Sequence, residues 1–283
     1  MKTINTKRTL ILGLMMVTFL VAKAQTATPA SGSDFLIPLS DPAKRGKLKA
    51  HLNNGSITVK GTARKDVLVK YSTSKDEDDD RDRNHKDKSG NKDGLKRIAG
   101  GGLDLEASEN SNTVKVSSNS WGEKTDLEIE VPAGMDMQVS TYNDGDLMIT
   151  NVQGEVELTS YNGAITALNI SGSVVATTYN GDIKVTFEKV AEGKPMSFYT
   201  YNGDVDLSFP STLKGTFKMK TEQGDIYTGF DMNITTSGPV QVKDAKSGTY
   251  KMKIDEWKRG DVNGGGAEFT LKNNNGDIYI RKK

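Results

Sequence analysis

Five glycines fall nine residues apart: Gly145, Gly154, Gly163, Gly172 and Gly181. The phrase around them recurs at twice that interval, with Ser160-Tyr161-Asn162-Gly163 returning 18 residues later as Thr178-Tyr179-Asn180-Gly181. Tyr-Asn precedes only alternate glycines, so the unit is 18 residues and two strands long. A fixed period this short means a solenoid, in which each unit buries its apolar face only against the next. Looser copies occur at Tyr199–Phe209, Lys220–Phe230 and Asn273–Lys282. The intervals from Gly181 to Gly203 and from Gly203 to Gly224 are 22 and 21, so loop residues have entered those turns.

Within each strand the second and fourth residues after glycine are apolar: Ile165 and Ala167, Val174 and Ala176, Ile183 and Val185, Val205 and Leu207. Period two puts each pair on one face of its strand. Stacked at ~4.8 Å, such strands join those faces into interior ladders. A single coil buries a handful of aliphatics worth about 1.5–3 kcal/mol each, while ordering its backbone costs about 1–2 kcal/mol per residue. A lone coil cannot fold, so the phrase has to repeat. Asn162-Gly163, Asn180-Gly181 and Asn202-Gly203 supply the structural turns, because Asn-Gly accepts φ > 0 at little steric cost. Asn-Gly also suits a hairpin, which makes an antiparallel β meander or sandwich the alternative. The regular spacing favours an all-β, parallel β-solenoid or β-helix of roughly 18–22-residue coils.

The chain ahead of the repeat divides by composition. Lys2, Lys7 and Arg8 flank an apolar run from Thr9 to Ala22, and Ala22-Lys23-Ala24 has the form of a cleavage site. Residues 1–24 read as a signal peptide, the apolar run being shorter than the roughly 20 residues of a spanning helix. Residues 25–45 read as a linker with a short ordered piece, and 46–283 as the solenoid domain. Residues 75–97 hold eight acidic and eight basic side chains and a single apolar one, Leu95. Such a stretch cannot repay its ordering entropy and is expected to be a mobile charged insertion. Asp78, Asp79 and Asp80 cluster there without the spacing, glycine and closing glutamate of a calcium loop. No metal or cofactor is expected.

Lys plus Arg number 38 against 37 Asp plus Glu, a balance that recruits no nucleic acid. The absence of cysteine excludes disulfides, thiol catalysis and thiolate metal sites. Asp146, Asp182, Asp204, Asp225 and Asp277 each follow a repeat glycine and would align on stacking. Paired carboxylates about 5–9 Å apart would make the chain a polysaccharide-active hydrolase or lyase. No cluster of His or Arg accompanies the row, and aspartates at turns commonly bond backbone amides instead. The expectation is therefore no enzyme.

Tyr142, Tyr161, Tyr179 and Tyr201 occupy equivalent points of their turns and form the candidate ligand-binding row. They either offer a platform for sugar rings or stack along a corner and stabilise it. The corner stack is favoured, because fold selection alone would produce it. From Phe35 to Lys282 the chain resembles the bacterial exported β-strand-repeat family of "putative adhesins", a domain of unknown function related to the "putative auto-transporter adhesin" head domain. The resemblance rests on the lead-in Val131-Pro132-Ala133-Gly134 and on the recurring (Ser/Thr)-Tyr-Asn-Gly-(Asp/Ala)-(Ile/Val). It implies a right-handed parallel β-solenoid in the periplasm or at the cell surface, with an adhesin-like binding or envelope-structural role. It carries over no catalytic residue. The partner classes are an envelope glycan or a surface protein, and no membrane span is expected in the mature chain.

Overall fold

A computed structural model describes residues 33–74, 104–238, 240–243, 250–253 and 256–283. The signal peptide expected at 1–24 and the charged insertion expected at 75–97 lie outside the described residues. Among the described residues every regular element is a strand. The first is β1 (Ser33–Pro38), inside the segment read as linker, followed by β2 (Lys47–Asn54) and β3 (Ile57–Thr62). Next come β4 (Asp66–Ser74), β5 (Leu105–Asn110), β6 (Thr113–Ser118) and β7 (Lys124–Pro132). Four regular pairs then follow: β8 (Asp136–Asn143) with β9 (Leu147–Thr150), and β10 (Glu155–Ser160) with β11 (Ile165–Ile170). The other two are β12 (Ser173–Asn180) with β13 (Ile183–Phe187), and β14 (Met196–Asn202) with β15 (Val205–Phe209). Beyond them lie β16 (Gly215–Gln223), β17 (Ile226–Thr228), β18 (Thr235–Thr236), β19 (Val240–Lys243) and β20 (Tyr250–Lys253). The last are β21 (Lys258–Val262), β22 (Glu268–Asn275) and β23 (Ile278–Lys282).

Each coil sends its first strand to one sheet and its second to the other, so two large sheets face each other across one core. The parallel solenoid anticipated from the glycine spacing is what the chain forms. In one sheet Leu48, Met137 and Val156 stand in register, continuing through Val174 to Met196, Phe269 and Phe217. In the facing sheet the ladder is Ile57, Leu147, Ile165, Ile183, Val205 and Ile278. All of these side chains are buried. Burial of the ladders, with the strands of neighbouring coils paired in register, is what holds the stack together.

Two features depart from a simple parallel stack. Antiparallel strands close its ends: β4 on β7 and β1 on β4, β5 on β6, and β21 on β16 with β18 on β21. Chain order and stacking order also differ. The β2–β3 coil lies between β6–β7 and β8–β9, and the β22–β23 coil lies between β14–β15 and β16–β17. The expectation that successive copies stack in chain order is therefore corrected at both ends. The β19–β20 hairpin forms a small sheet of its own.

Candidate functional site

The Tyr-Asn-Gly phrase sits where the chain leaves the first sheet for the second. Its asparagines form a ladder along the stack. Nδ2 of Asn162 donates to Asn143 Oδ1 at 3.3 Å, Asn180 to Asn162 at 2.7 Å, and Asn202 to Asn180 at 2.7 Å. Asn275 continues it onto Asn202 at 2.6 Å. Beside it, the Thr178 and Thr200 hydroxyls donate to the carbonyls of Gly163 and Gly181 at 3.0 and 2.9 Å. Side-chain bonds thus tie each corner to the next, beside backbone bonds that run through it, such as Gly163 N–H to the Asn180 carbonyl and Gly181 N–H to the Asn202 carbonyl, each at 2.8 Å.

The aspartates take part in the same corner. Oδ1 of Asp146 accepts the Ala164 N–H at 2.8 Å. The Asp204, Asp277 and Asp225 amides likewise donate to Asp182, Asp204 and Asp277, each at 2.8 Å. Each of these carboxylates therefore spends an oxygen on the backbone of the adjacent coil. Among the described residues no group of His, Asp or Glu is arranged to hold a metal ion.

The four tyrosines come together on the outside of this corner. Their rings stack at 4.8, 5.1 and 4.8 Å with interplanar angles of 4, 5 and 7°. Trp121 meets Tyr142 edge-on at 5.3 Å, extending the row to five aromatics. Tyr142, Tyr161 and Tyr179 are nevertheless 39–45% exposed, and Trp121 59%. Since parallel stacking covers ring faces, the tyrosines turn their edges toward solvent. The row stops at Tyr201, whose counterpart in the next coil is Asn274.

Next to the ridge, the outer face of the same sheet carries Ser140, Thr159 and Thr177 in register, with His51 opposite Ser140. His51 bonds through Nδ1 to Ser140 Oγ at 2.8 Å and through Nε2 to Asn53 Oδ1 at 3.0 Å. Lys49, Gln138 and Glu157 join His51, Ser140 and Thr159 around a shallow depression of about 390 Å³. Sequence reasoning singled out neither His51 nor Trp121. The register of β2 against β8 was the only signal that could have placed His51 beside the tyrosines. A second stack was also missed, Tyr227 on Tyr279 at 5.1 Å and 9°. The Tyr279 hydroxyl donates to Asp277 Oδ2 at 2.9 Å, and this bond pushes its pKa up to about 12.

These features define a two-sheet parallel β-solenoid with side-chain ladders at its corners and an exposed aromatic ridge. The chain belongs to the Toastrack DUF4097 family, whose model matches residues 100–281. Among solved structures it is similar to a "putative cell adhesion protein" from Clostridium sporogenes, at 10% identity and a TM-score of 0.44 over 89% of this chain and 100% of that one. It is also similar to a "putative adhesin" from Bacteroides fragilis, at 8% identity and a TM-score of 0.35 over 89% of this chain and 97% of that one. Similarity at this level adds nothing on function. No curated protein matches the chain. Among the described residues no helix is long and apolar enough to cross a membrane.

Proposed function

We propose that the chain is an exported, non-enzymatic, adhesin-like binding module. Its contact surface is the ridge from Trp121 to Tyr201 together with the hydroxyl row beside it. The observation that carries this reading is a row of five aromatics on one corner, four of them exposed and Tyr201 half-buried. Aromatic side chains with one wet edge are the residues that recognition surfaces favour. Stacked rings cannot receive a sugar ring between them, so contact is made by tyrosine hydroxyl edges, by Trp121 and by the Ser/Thr row. An envelope glycan or a surface protein fits that chemistry. The carboxylates bonded at the corner support a non-catalytic role.

The test replaces Trp121 with Ala and Tyr161 and Tyr179 with Phe, which keeps the stack and removes two hydroxyls. Binding to intact cells and to immobilised envelope glycans should fall at least about tenfold with little change in melting. Undiminished binding by a well-folded variant would remove the ridge from the contact surface. Protease shaving of intact cells, read against cell fractions, tests export and separates surface from periplasm.

A further inference from the structure

At the end of the solenoid built from β16 and β17 the two sheets stop at different heights. One continues past β16 through β21 and β18, whereas β17 is the last strand of the other. The Asp225 carbonyl accepts the Ile278 N–H at 2.9 Å, and the Gly229 N–H donates to the Ile280 carbonyl at 2.8 Å. Bonded residues alternate in a parallel ladder, so Tyr227 also faces β23 while Ile226 and Thr228 point their N–H and C=O groups outward. Beside this edge Met219, Ile226, Met232 and Ile234 form the apolar part of a cleft of about 220 Å³ that Asp225, Thr228 and Lys258 complete. Past Glu256 and Lys258 it adjoins a more polar one of about 460 Å³.

The other sheet ends are built differently. β1 carries Pro38 and the exposed Asp34, and β5 carries Glu106 and Glu109. Proline and charge on an edge strand discourage strand addition. β18 is two residues long and exposed. β17 is short as well, but its Ile-Tyr-Thr edge has neither proline nor charge, and it has the cleft alongside.

We propose that this edge accepts one extended segment of a partner protein, apolar at alternate positions, as an added strand. Main-chain bonds to Ile226 and Thr228 would hold it, and alternate side chains would enter the cleft. A second copy of the chain is a poor occupant. Antiparallel pairing of β17 with its two-fold mate would set the sheet ends ~4.8 Å apart. In the facing layer each copy projects two further strands, β21 and β18, which would collide. A single strand fits under the overhang.

The probe is a phage-displayed library of peptides about twelve residues long, a length that covers the edge with flanks, selected against the full chain. Selection should enrich sequences with alternating apolar positions. Their affinity by fluorescence anisotropy should drop at least about tenfold in Thr228→Pro, which removes an outward N–H, and in Ile226→Glu, which puts a carboxylate among the cleft's apolar side chains. Amide exchange at Ile226 and Thr228 should be fast in the free chain and slowed by the enriched peptide. Should Thr228→Pro fail to fold, Ile226→Glu and the exchange measurement decide. Equal binding by folded variants, or no enriched peptide, overturns the proposal. Slow exchange at both amides in the free chain would place this chain's own segment on the edge, and a dimer broken by Thr228→Pro would place a second copy there. Either result overturns it too.

Discussion

At the residue scale, the repeat glycines are fixed by contact between coils as much as by turn geometry. A Cβ on Gly163 would stand 2.0 Å from the Gly145 carbonyl oxygen, and one on Gly181 2.4 Å from that of Gly163. Gly181 and Gly203 also have φ of 145° and 137°, while Gly163 is not among the positive-φ residues. Conformational freedom, the reason apparent from sequence, therefore explains part of the row, and close approach explains the rest. Gly163→Ala should destabilise by at least about 2 kcal/mol, read as a fall in melting temperature. Ile183, fully buried in the ladder of the second sheet, allows a harsher test. Ile183→Asp buries an unpaired carboxylate and should cost more than about 4 kcal/mol. A variant that melted like wild type would shift the strand register by one. Tyr279 gives a pH signature. Its pKa is raised from near 10 to about 12, so its contribution to stability is complete below pH 10 and disappears as pH rises through about 12. Ultraviolet titration should show two late-ionising tyrosines, Tyr279 and the Tyr227 stacked on it, which the charges of Asp225 and Asp277 also push up. Tyr279→Phe should remove one of them.

At the element scale, the tyrosine row separates two properties of one side chain. The rings stabilise the corner by stacking, at roughly 0.5–1.5 kcal/mol per pair. The hydroxyl edges face solvent. Replacing Tyr161 and Tyr179 with Ala removes all three tyrosine stacks of this row and should cost about 2–4 kcal/mol. The corresponding double Phe variant should melt within about 1 kcal/mol of wild type, because the faces remain. Equal melting of the Ala variant and wild type would show that the stack contributes nothing. This row was legible in the sequence because Tyr161, Tyr179 and Tyr201 stand two residues before a repeat glycine and Tyr142 three before Gly145, each directly ahead of an asparagine. Trp121 was not. It lies in the β6–β7 connection, outside the repeat, and meets Tyr142 only through the fold.

At the scale of the whole molecule, the ladder positions could be read from sequence but the order of the coils could not. Asn275, Ile278 and Ile280 present the same corner and interior pattern as Asn180, Ile183 and Val185, so any coil offers an acceptable face to any other. The connections and the antiparallel ends decide the neighbours, and neither follows the repeat. The consequence is a specific sensitivity to truncation. In a solenoid stacked in chain order, losing the last coil removes one interface and leaves a fresh end. Here the last coil, β22–β23, separates β14–β15 from β16–β17, with Phe269 packed between Phe209 and Phe217. Ending the chain at Gly264 removes both interfaces and strips β16 of its parallel partner. The cooperative transition should give way to a broad one, and limited proteolysis should leave a core ending near Phe209. Retention of a single sharp transition would mean that β16–β17 restacks directly on β14–β15. The coils would then be interchangeable, and the observed order would be a matter of connection rather than of packing.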